Sequence, residues 1–276
     1  MLKTRIITAL ILIAAFLPAL FMFSIETWAV SMLAISLLAI YEWGALIKLN
    51  HTERYVYTVI CAAFGMFAIT YMSRFGFHRF FYKSMLIFFI ATLFWSLVVP
   101  VWLAKRLVIE NRLLMALLGV LLMAPLWLGL ICAKGADPWL LLILLATIWI
   151  ADSAAYFVGK NFGKHKLAPN ISPGKTWEGV FGALVGVTAF AAILHFGFKF
   201  DVGVGKLAIF PLLWITALLG VIGDLFESLM KRQANIKDSG DLLPGHGGIL
   251  DRIDGLIPSL PIAILLIYAY HFFGAN

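Results

Sequence analysis

Apolar residues occur along the chain in nine long runs that short polar segments separate. The runs cover roughly residues 6–23, 27–47, 55–72, 84–104, 113–133, 138–158, 177–198, 207–230 and 256–273. Their lengths are close to the about 20 residues that an α-helix needs to cross the hydrocarbon core of a bilayer. The pattern predicts an all-α polytopic membrane protein with about nine transmembrane helices.

Composition supports this fold class. Hydrophobic residues make up 63% of the chain and charged residues only 13%, whereas about a quarter of the residues in soluble domains are charged. Cys61 and Cys132 lie inside apolar runs without metal-site spacing, which predicts buried thiols. The first run follows Lys3 and Arg5 and is longer than the core of a cleavable signal peptide, so we expect a retained anchor.

The basic residues predict an orientation. If the N-terminus is cytoplasmic, fifteen of the Lys and Arg residues lie on the inside and six on the outside, as the positive-inside rule requires. The six are Arg74, Arg79, Lys83, Lys134, Lys199 and Lys206. The net charge of +7 then faces anionic lipid headgroups, and no nucleic acid partner is needed to explain it. Tryptophans near run ends, such as Trp28 and Trp43, are interpreted as interface anchors.

Polarity changes along the chain. We expect a single integral membrane domain, 1–276, in which residues 1–135 form apolar helices with Glu42 as an isolated acid near the inside end of the second run. A structural partnership with a cation is favoured for Glu42. Residues 136–276 hold two longer inside loops and the membrane acids, so this half is predicted to carry the chemistry on the cytoplasmic side.

Acidic residues within the last runs are the first candidates for that chemistry, because a charge in the hydrocarbon region costs at least about 2.5–3.5 kcal/mol. Asp152 ends one run, and Asp224 and Glu227 lie near the inside end of another. On a helix, Asp224, Ser228 and Lys231 share one face. Glu227 is interpreted as a local ion-pair partner of Lys231 at i+4.

The inside loop that follows mixes acids, bases and glycines. Carboxylates without clustered Cys or His suit Mg²⁺ or Mn²⁺. Glycines let backbone N–H groups approach phosphate oxygens, and basic side chains supply the opposite charge. The loop is therefore typical of a metal and phosphate site, with a solvated turn as the alternative.

The other inside loop contains SPGKTWEG, which resembles part of a P-loop. Pro169 occupies the position of the first P-loop glycine and no strand is expected before the motif, so a P-loop is rejected. The segment instead predicts a helix start with Ser172 as N-cap and Pro173 in the first turn. Lys175 beside that helix start predicts an anion site, with a purely structural cap as the alternative.

The segment SLMKRQANIKDSGDLLPGHGGILDRID resembles the signature of CDP-diacylglycerol synthases, also called phosphatidate cytidylyltransferases. ADSAAYFVGKNFGKHKL and SPGKTWEG also resemble this family, so the likeness covers most of residues 151–255. The matching positions are Ser228, Lys231, Arg232, Lys237, Asp238, Gly240, Pro244, His246, Gly247, Gly248, Asp251, Arg252 and Asp254.

The resemblance implies a Mg²⁺-dependent reaction in which CTP and phosphatidate form CDP-diacylglycerol and pyrophosphate. It places the protein in phospholipid biosynthesis in the bacterial cytoplasmic (inner) membrane. The oligomeric state, including a homodimer, is left open. The alternatives are an ion-coupled transporter, which typically holds acids near the membrane midplane, and a CDP-alcohol phosphotransferase, whose full motif is missing.

Roles follow for the candidate residues. We expect Asp224 and Asp251 to be the principal metal ligands and Asp238 and Asp254 secondary ones, because an ionised phosphate nucleophile needs no general base. Ser228 is expected to hydrogen-bond a phosphate oxygen or a metal-bound water. His246 is expected to bind phosphate or to order the turn. The basic residues expected to hold the triphosphate and the lipid phosphate are Lys175, Lys231, Arg232, Lys237 and Arg252, with Ser172 beside Lys175.

The predicted orientation can be checked by cysteine labelling. Cysteines introduced at Asn170 and Gln233 should react with an impermeant thiol reagent only after the cytoplasmic face is opened, because both loops are assigned to the inside. Labelling in intact cells would reverse the topology.

Overall fold

Helices follow the apolar runs. A computed structural model describes residues 2–200, 207–240, 242 and 247–273. The helices are α1 Leu2–Met22, α2 Ile25–Leu46, α3 His51–Phe75, α4 Phe77–Leu93, α5 Val99–Lys105, α6 Arg112–Ala136, α7 Pro138–Phe162, α8 Trp177–Ala192, α9 Ile209–Gln233, α10 Leu250–Ile253 and α11 Leu256–Phe273. A π-helical turn, Phe94–Val98, joins α4 to α5, and another, Ile193–Gly197, extends α8.

Within the described part of the chain, eight helices are long and apolar enough to cross a membrane. The first run contributes a shorter apolar segment, Leu10–Met22. The prediction of an all-α polytopic membrane protein is confirmed, with eight full-length candidates and one shorter helix where nine spans were expected.

A two-stranded hairpin between α7 and α8 departs from the prediction. β1 Lys166–Ala168 pairs antiparallel with β2 Ser172–Thr176, so the expectation of no strand before SPGKT was wrong. The N-cap of α8 is Thr176, whose Oγ1 accepts from Gly179 N at 3.1 Å, and the assignment of Ser172 as N-cap was wrong too. Because a residue before proline avoids the helical region, Pro173 favours an extended Ser172.

Tertiary contacts group the residues into two compact units that alternate along the sequence. Unit 1 contains Met1–Ile87, Arg106–Pro138 and Met230–Ile253, and unit 2 contains Phe88–Lys105, Trp139–Leu229 and Asp254–Asn276. This grouping does not follow the expected change near residue 135, and the single domain stays a prediction.

Indole N–H groups join α2 to α6 in unit 1. Trp43 Nε1 donates to Met115 O at 2.8 Å, and Trp28 Nε1 donates to Leu130 O at 3.0 Å. Trp28 and Trp43 are 0% and 1% exposed, so the interpretation of these two as interface anchors was wrong. A buried indole needs an acceptor for its N–H group, and the facing helix supplies one.

Glycines bring α7 and α8 together in unit 2. A Cβ atom on Gly182 would lie 2.6 Å from Val158 Cβ, and one on Gly186 would lie 2.9 Å from Ala154 Cβ. Small residues at such spacing let membrane helices approach closely, and the gain is van der Waals contact rather than the hydrophobic effect. The β-hairpin that connects α7 and α8 therefore rests on a closely packed helix pair.

This helix pair yields a stability prediction. Gly182→Val should lower the thermal unfolding temperature in detergent, because added side-chain volume in a packed contact costs about 1–3 kcal/mol. Gly197→Ala is the control, since a Cβ there meets nothing within 4 Å. Equal unfolding temperatures for the two variants would contradict close α7–α8 packing.

Candidate active site

The signature segment begins on α9, whose rotation is fixed by an aromatic cluster in unit 2. Phe226 is 2% exposed and packs edge-on against Trp95 and Trp102, with ring centroids 5.4 and 5.5 Å away. Residues two apart on a helix point to nearly opposite sides. Burial of Phe226 therefore turns Asp224 and Ser228 away from the cluster.

Asp224 is the centre of a polar group in unit 2. Lys175 Nζ, on β2 of the hairpin, lies 2.6 Å from Asp224 Oδ2. Ser228 Oγ donates to Asp224 Oδ1 at 3.2 Å, which confirms that Asp224 and Ser228 share a helix face. The side chains of Lys175 and Asp224 are 21% and 36% exposed, so the ion pair is shielded yet reachable.

Two further carboxylates belong to this group. Asp254 interacts electrostatically with Asp224, Asp152 and Lys175, and its Oδ1 accepts from Gly255 N at 2.8 Å. Sequence reasoning gave Asp152 no role, although its position at the end of an apolar run was the signal.

Gly223 explains how α9 approaches Asp254 so closely. A Cβ atom on Gly223 would overlap the carbonyl oxygen of Asp254 and would lie 2.9 Å from Pro258 Cδ. Only glycine at position 223 allows the backbones of α9 and Asp254 to come this close. The choice of residue just before Asp224 is therefore as restricted as that of Asp224 itself.

The donor chemistry of this group suits a hard cation. Asp152, Asp224 and Asp254 provide carboxylate oxygens, which Mg²⁺ prefers. Over the described residues, no three Asp, Glu, His or Cys side chains already stand at metal-ligand spacing. The ammonium of Lys175 instead neutralises Asp224, and a bound cation would share that carboxylate with it.

Asp251 organises a second polar group, in unit 1. Its Oδ1 accepts from Lys231 Nζ at 2.6 Å. Its Oδ2 accepts from Ser239 N at 2.9 Å, Ser239 Oγ at 3.0 Å and Gly248 N at 2.9 Å. The Asp251 side chain is only 8% exposed. Protein donors thus engage both oxygens, and the assignment of Asp251 as a metal ligand stays a prediction.

Glu42, on α2, contacts the same loop. Its carboxylate accepts from Ser239 Oγ, Ile249 N and Leu250 N. The expectation of a cation partner was wrong, since these partners are a hydroxyl and two backbone N–H groups. The signal in the sequence was an isolated acid in an apolar run, and nothing in the sequence identified its partners 197 to 208 residues away.

The remaining candidates differ in exposure. Ser172 is half-buried on β2, Glu227 is 3% exposed, and His246 lies outside the described residues. The exposed candidates are Arg232 on α9, Lys237 and Asp238 in the loop, and Arg252 on α10.

Known proteins resemble this chain throughout its length. A model of the cytidylyltransferase family matches residues 3–270. A phosphatidate cytidylyltransferase of Haemophilus influenzae is 35% identical over 99% of both chains. One of Pseudomonas aeruginosa is 41% identical over 55% of this chain and 56% of its own, and one of Bacillus subtilis is 44% identical over 44% of each.

Proposed function

The chain belongs to the cytidylyltransferase family, and from this membership we infer that it transfers the cytidylyl group of CTP to phosphatidate. The products are CDP-diacylglycerol and pyrophosphate. The likeness to a phosphatidate cytidylyltransferase along 99% of both chains supports this activity. The observation that carries the assignment of the site is the group of Lys175, Asp224 and Ser228, where a cation, a carboxylate and a hydroxyl meet in the C-terminal half of α9.

The reaction is a displacement at phosphorus. A phosphate oxygen of phosphatidate forms a bond to the α-phosphorus of CTP while the bond from that phosphorus to the bridging oxygen of pyrophosphate breaks. A phosphomonoester has a second pKa near about 6, so the attacking oxygen is already ionised at neutral pH. Proton removal is not required, and catalysis reduces to positioning and charge neutralisation.

Lys175 is the residue of unit 2 that binds the reacting phosphates. Its ammonium lies 2.6 Å from Asp224 Oδ2, and this ion pair fixes the end of the flexible lysine side chain. The same carboxylate orients the Ser228 hydroxyl. When substrate binds, this hydroxyl exchanges its hydrogen bond to Asp224 for one to a phosphate oxygen. The hairpin thereby holds the ammonium group of Lys175 beside Asp224 of α9.

Asp224 and Asp254 would hold Mg²⁺, with Asp152 as a further oxygen donor. The metal, when bound, neutralises charge on the phosphate oxygens. Asp224 is favoured because it is the acid at the centre of the polar group of unit 2. Asp238 remains a proposed ligand, and the bonds of Asp251 with protein donors favour an organising role for it.

The basic residues at the end of α9, in the loop and on α10 are proposed to bind the charged parts of both substrates. Arg232, Lys237 and Arg252 are exposed and present their charges to water, where CTP arrives. Lys231 is held by Asp251. We assign His246 to phosphate binding from the signature alone. From the positive-inside count we propose that these residues face the cytoplasm, and we propose the bacterial inner membrane as the location.

Turnover should depend on a divalent cation. Purified protein, phosphatidate in micelles, labelled CTP and Mg²⁺ should give lipid-soluble label, and EDTA should abolish the signal until Mg²⁺ is restored. Full turnover in metal-free buffer would contradict the metal assignment. Absence of lipid-soluble label in the complete mixture would contradict the activity itself, and a transporter would give that result.

Asp224 should be separable from a general base by metal titration. Asp224→Asn should lower the rate at least about a hundredfold, which corresponds to about 2.7 kcal/mol of transition-state stabilisation. Raising Mg²⁺ or substituting Mn²⁺ should recover part of the rate, because mass action refills a weakened metal site.

Two matched variants complete this experiment. Asp251→Asn should also lose activity, but without recovery by metal, if its carboxylate organises the loop. Glu110→Gln, at an exposed position, should keep the wild-type rate. A near-normal rate for Asp224→Asn would remove that residue from the site.

A further inference from the structure

Glu42 is a buried acid in the half of the chain that otherwise forms apolar helices. Glu42 is only 2% exposed. Oε2 accepts from Leu250 N at 2.8 Å and from Ser239 Oγ at 3.2 Å, and Oε1 accepts from Ile249 N at 3.0 Å. Burial of a carboxylate is costly unless hydrogen bonds compensate it. All three of these bonds go to one segment, residues 239–250.

Two carboxylates fasten both ends of that segment. Asp251 accepts from the backbone N–H groups of Ser239 and Gly248, and Glu42 accepts from those of Ile249 and Leu250. The Ser239 hydroxyl lies within hydrogen-bond distance of both acids. We call Glu42 and Asp251 the carboxylate clamp. The clamp therefore binds described residues at both ends of the segment, Ser239 at one end and Gly248, Ile249 and Leu250 at the other.

The glycines of the segment fit around the carboxylate of Glu42. A Cβ atom on Gly240 would lie 2.6 Å from Oε1, and one on Gly248 would lie 2.6 Å from Oε2. Real Cβ atoms do not approach oxygen so closely, so any larger residue would displace Glu42. Two of the glycines in the signature are thus explained by an acid about 200 residues earlier in the sequence.

We propose that Glu42 is a positioning residue for the reaction: it holds Ser239, Ile249 and Leu250 in the arrangement in which the flanking bases Lys237 and Arg252 bind CTP. Glu42 touches backbone N–H groups and a hydroxyl rather than a reacting group, so it acts through the loop. The proposal rests on the proposed function, because it assigns CTP binding to this segment. It also gives α2 a part in catalysis in addition to spanning the membrane.

Glu42→Gln is the direct test. The amide keeps the size of the side chain but loses its charge and one acceptor oxygen. KM for CTP should rise at least about tenfold, a change that corresponds to about 1.4 kcal/mol of binding free energy, because CTP binding would have to restore the arrangement of Ser239, Ile249 and Leu250. Amide hydrogen exchange should increase within 239–250 and stay unchanged in α7 and α8. Glu26→Gln is the matched control, since Glu26 is an exposed acid on the same helix.

A purely structural role would give a different result. In that case Glu42→Gln would lower the unfolding temperature and the active fraction, while the protein that remains folded would keep the wild-type KM for CTP. That outcome would overturn the proposal. If the wild-type protein forms no CDP-diacylglycerol, the proposed function fails, and unchanged exchange in 239–250 of Glu42→Gln would then overturn the clamp separately.

Gly248→Ala tests the same contact from the loop side and decides the question if Glu42→Gln does not fold. Its new methyl group meets the Glu42 carboxylate, so KM for CTP should rise as in Glu42→Gln. Effects of residues in contact are not additive. The variant with both Glu42→Gln and Gly248→Ala should therefore have a KM for CTP only slightly above that of the worse single variant. Independent, multiplying effects on KM would overturn the proposal, and Gly197→Ala serves as the glycine control.

Discussion

A polar group away from water must find a partner inside the protein, and this requirement shapes the structure of this chain. In lipid each unsatisfied donor or acceptor costs several kcal/mol. The indole N–H groups of Trp28 and Trp43 meet the requirement through carbonyl oxygens of α6. Asp251 meets it with four bonds to Lys231, Ser239 and Gly248. The same rule that joins α2 to α6 therefore also brings Ser239 and Gly248 to Asp251.

The length and apolarity of the runs were sufficient to predict the membrane helices, because these two properties define a membrane span and need no knowledge of tertiary contacts. They could not predict the hairpin 166–176. That hairpin depends on Pro173, which favours an extended residue before it, and on Thr176, which caps α8 with its own hydroxyl. The sequence analysis considered only Ser172 as N-cap, four residues before the Thr176 that caps the helix.

For the candidate site, the shared face of Asp224 and Ser228 follows from helical spacing alone. The partnership of Lys175 with Asp224 did not, since it joins residues 49 positions apart through a hairpin. Glu42 was visible as an anomaly, an acid in an apolar run, yet its partners were invisible because backbone N–H groups leave no signal in a sequence. Side-chain chemistry can be read from residue types, whereas backbone partners require the fold.

The long separation between Glu42 and its partners has a consequence for biosynthesis. Residues Ile249 and Leu250 lie 207 and 208 positions after Glu42. At about 5–20 residues per second, the ribosome delivers them roughly 10–40 s after α2. During that interval Glu42 of α2 lacks the hydrogen-bond partners that it has in the folded protein. Water or the translocation machinery must solvate this carboxylate until then, so residues made 207 and 208 positions later complete a site begun by the second helix.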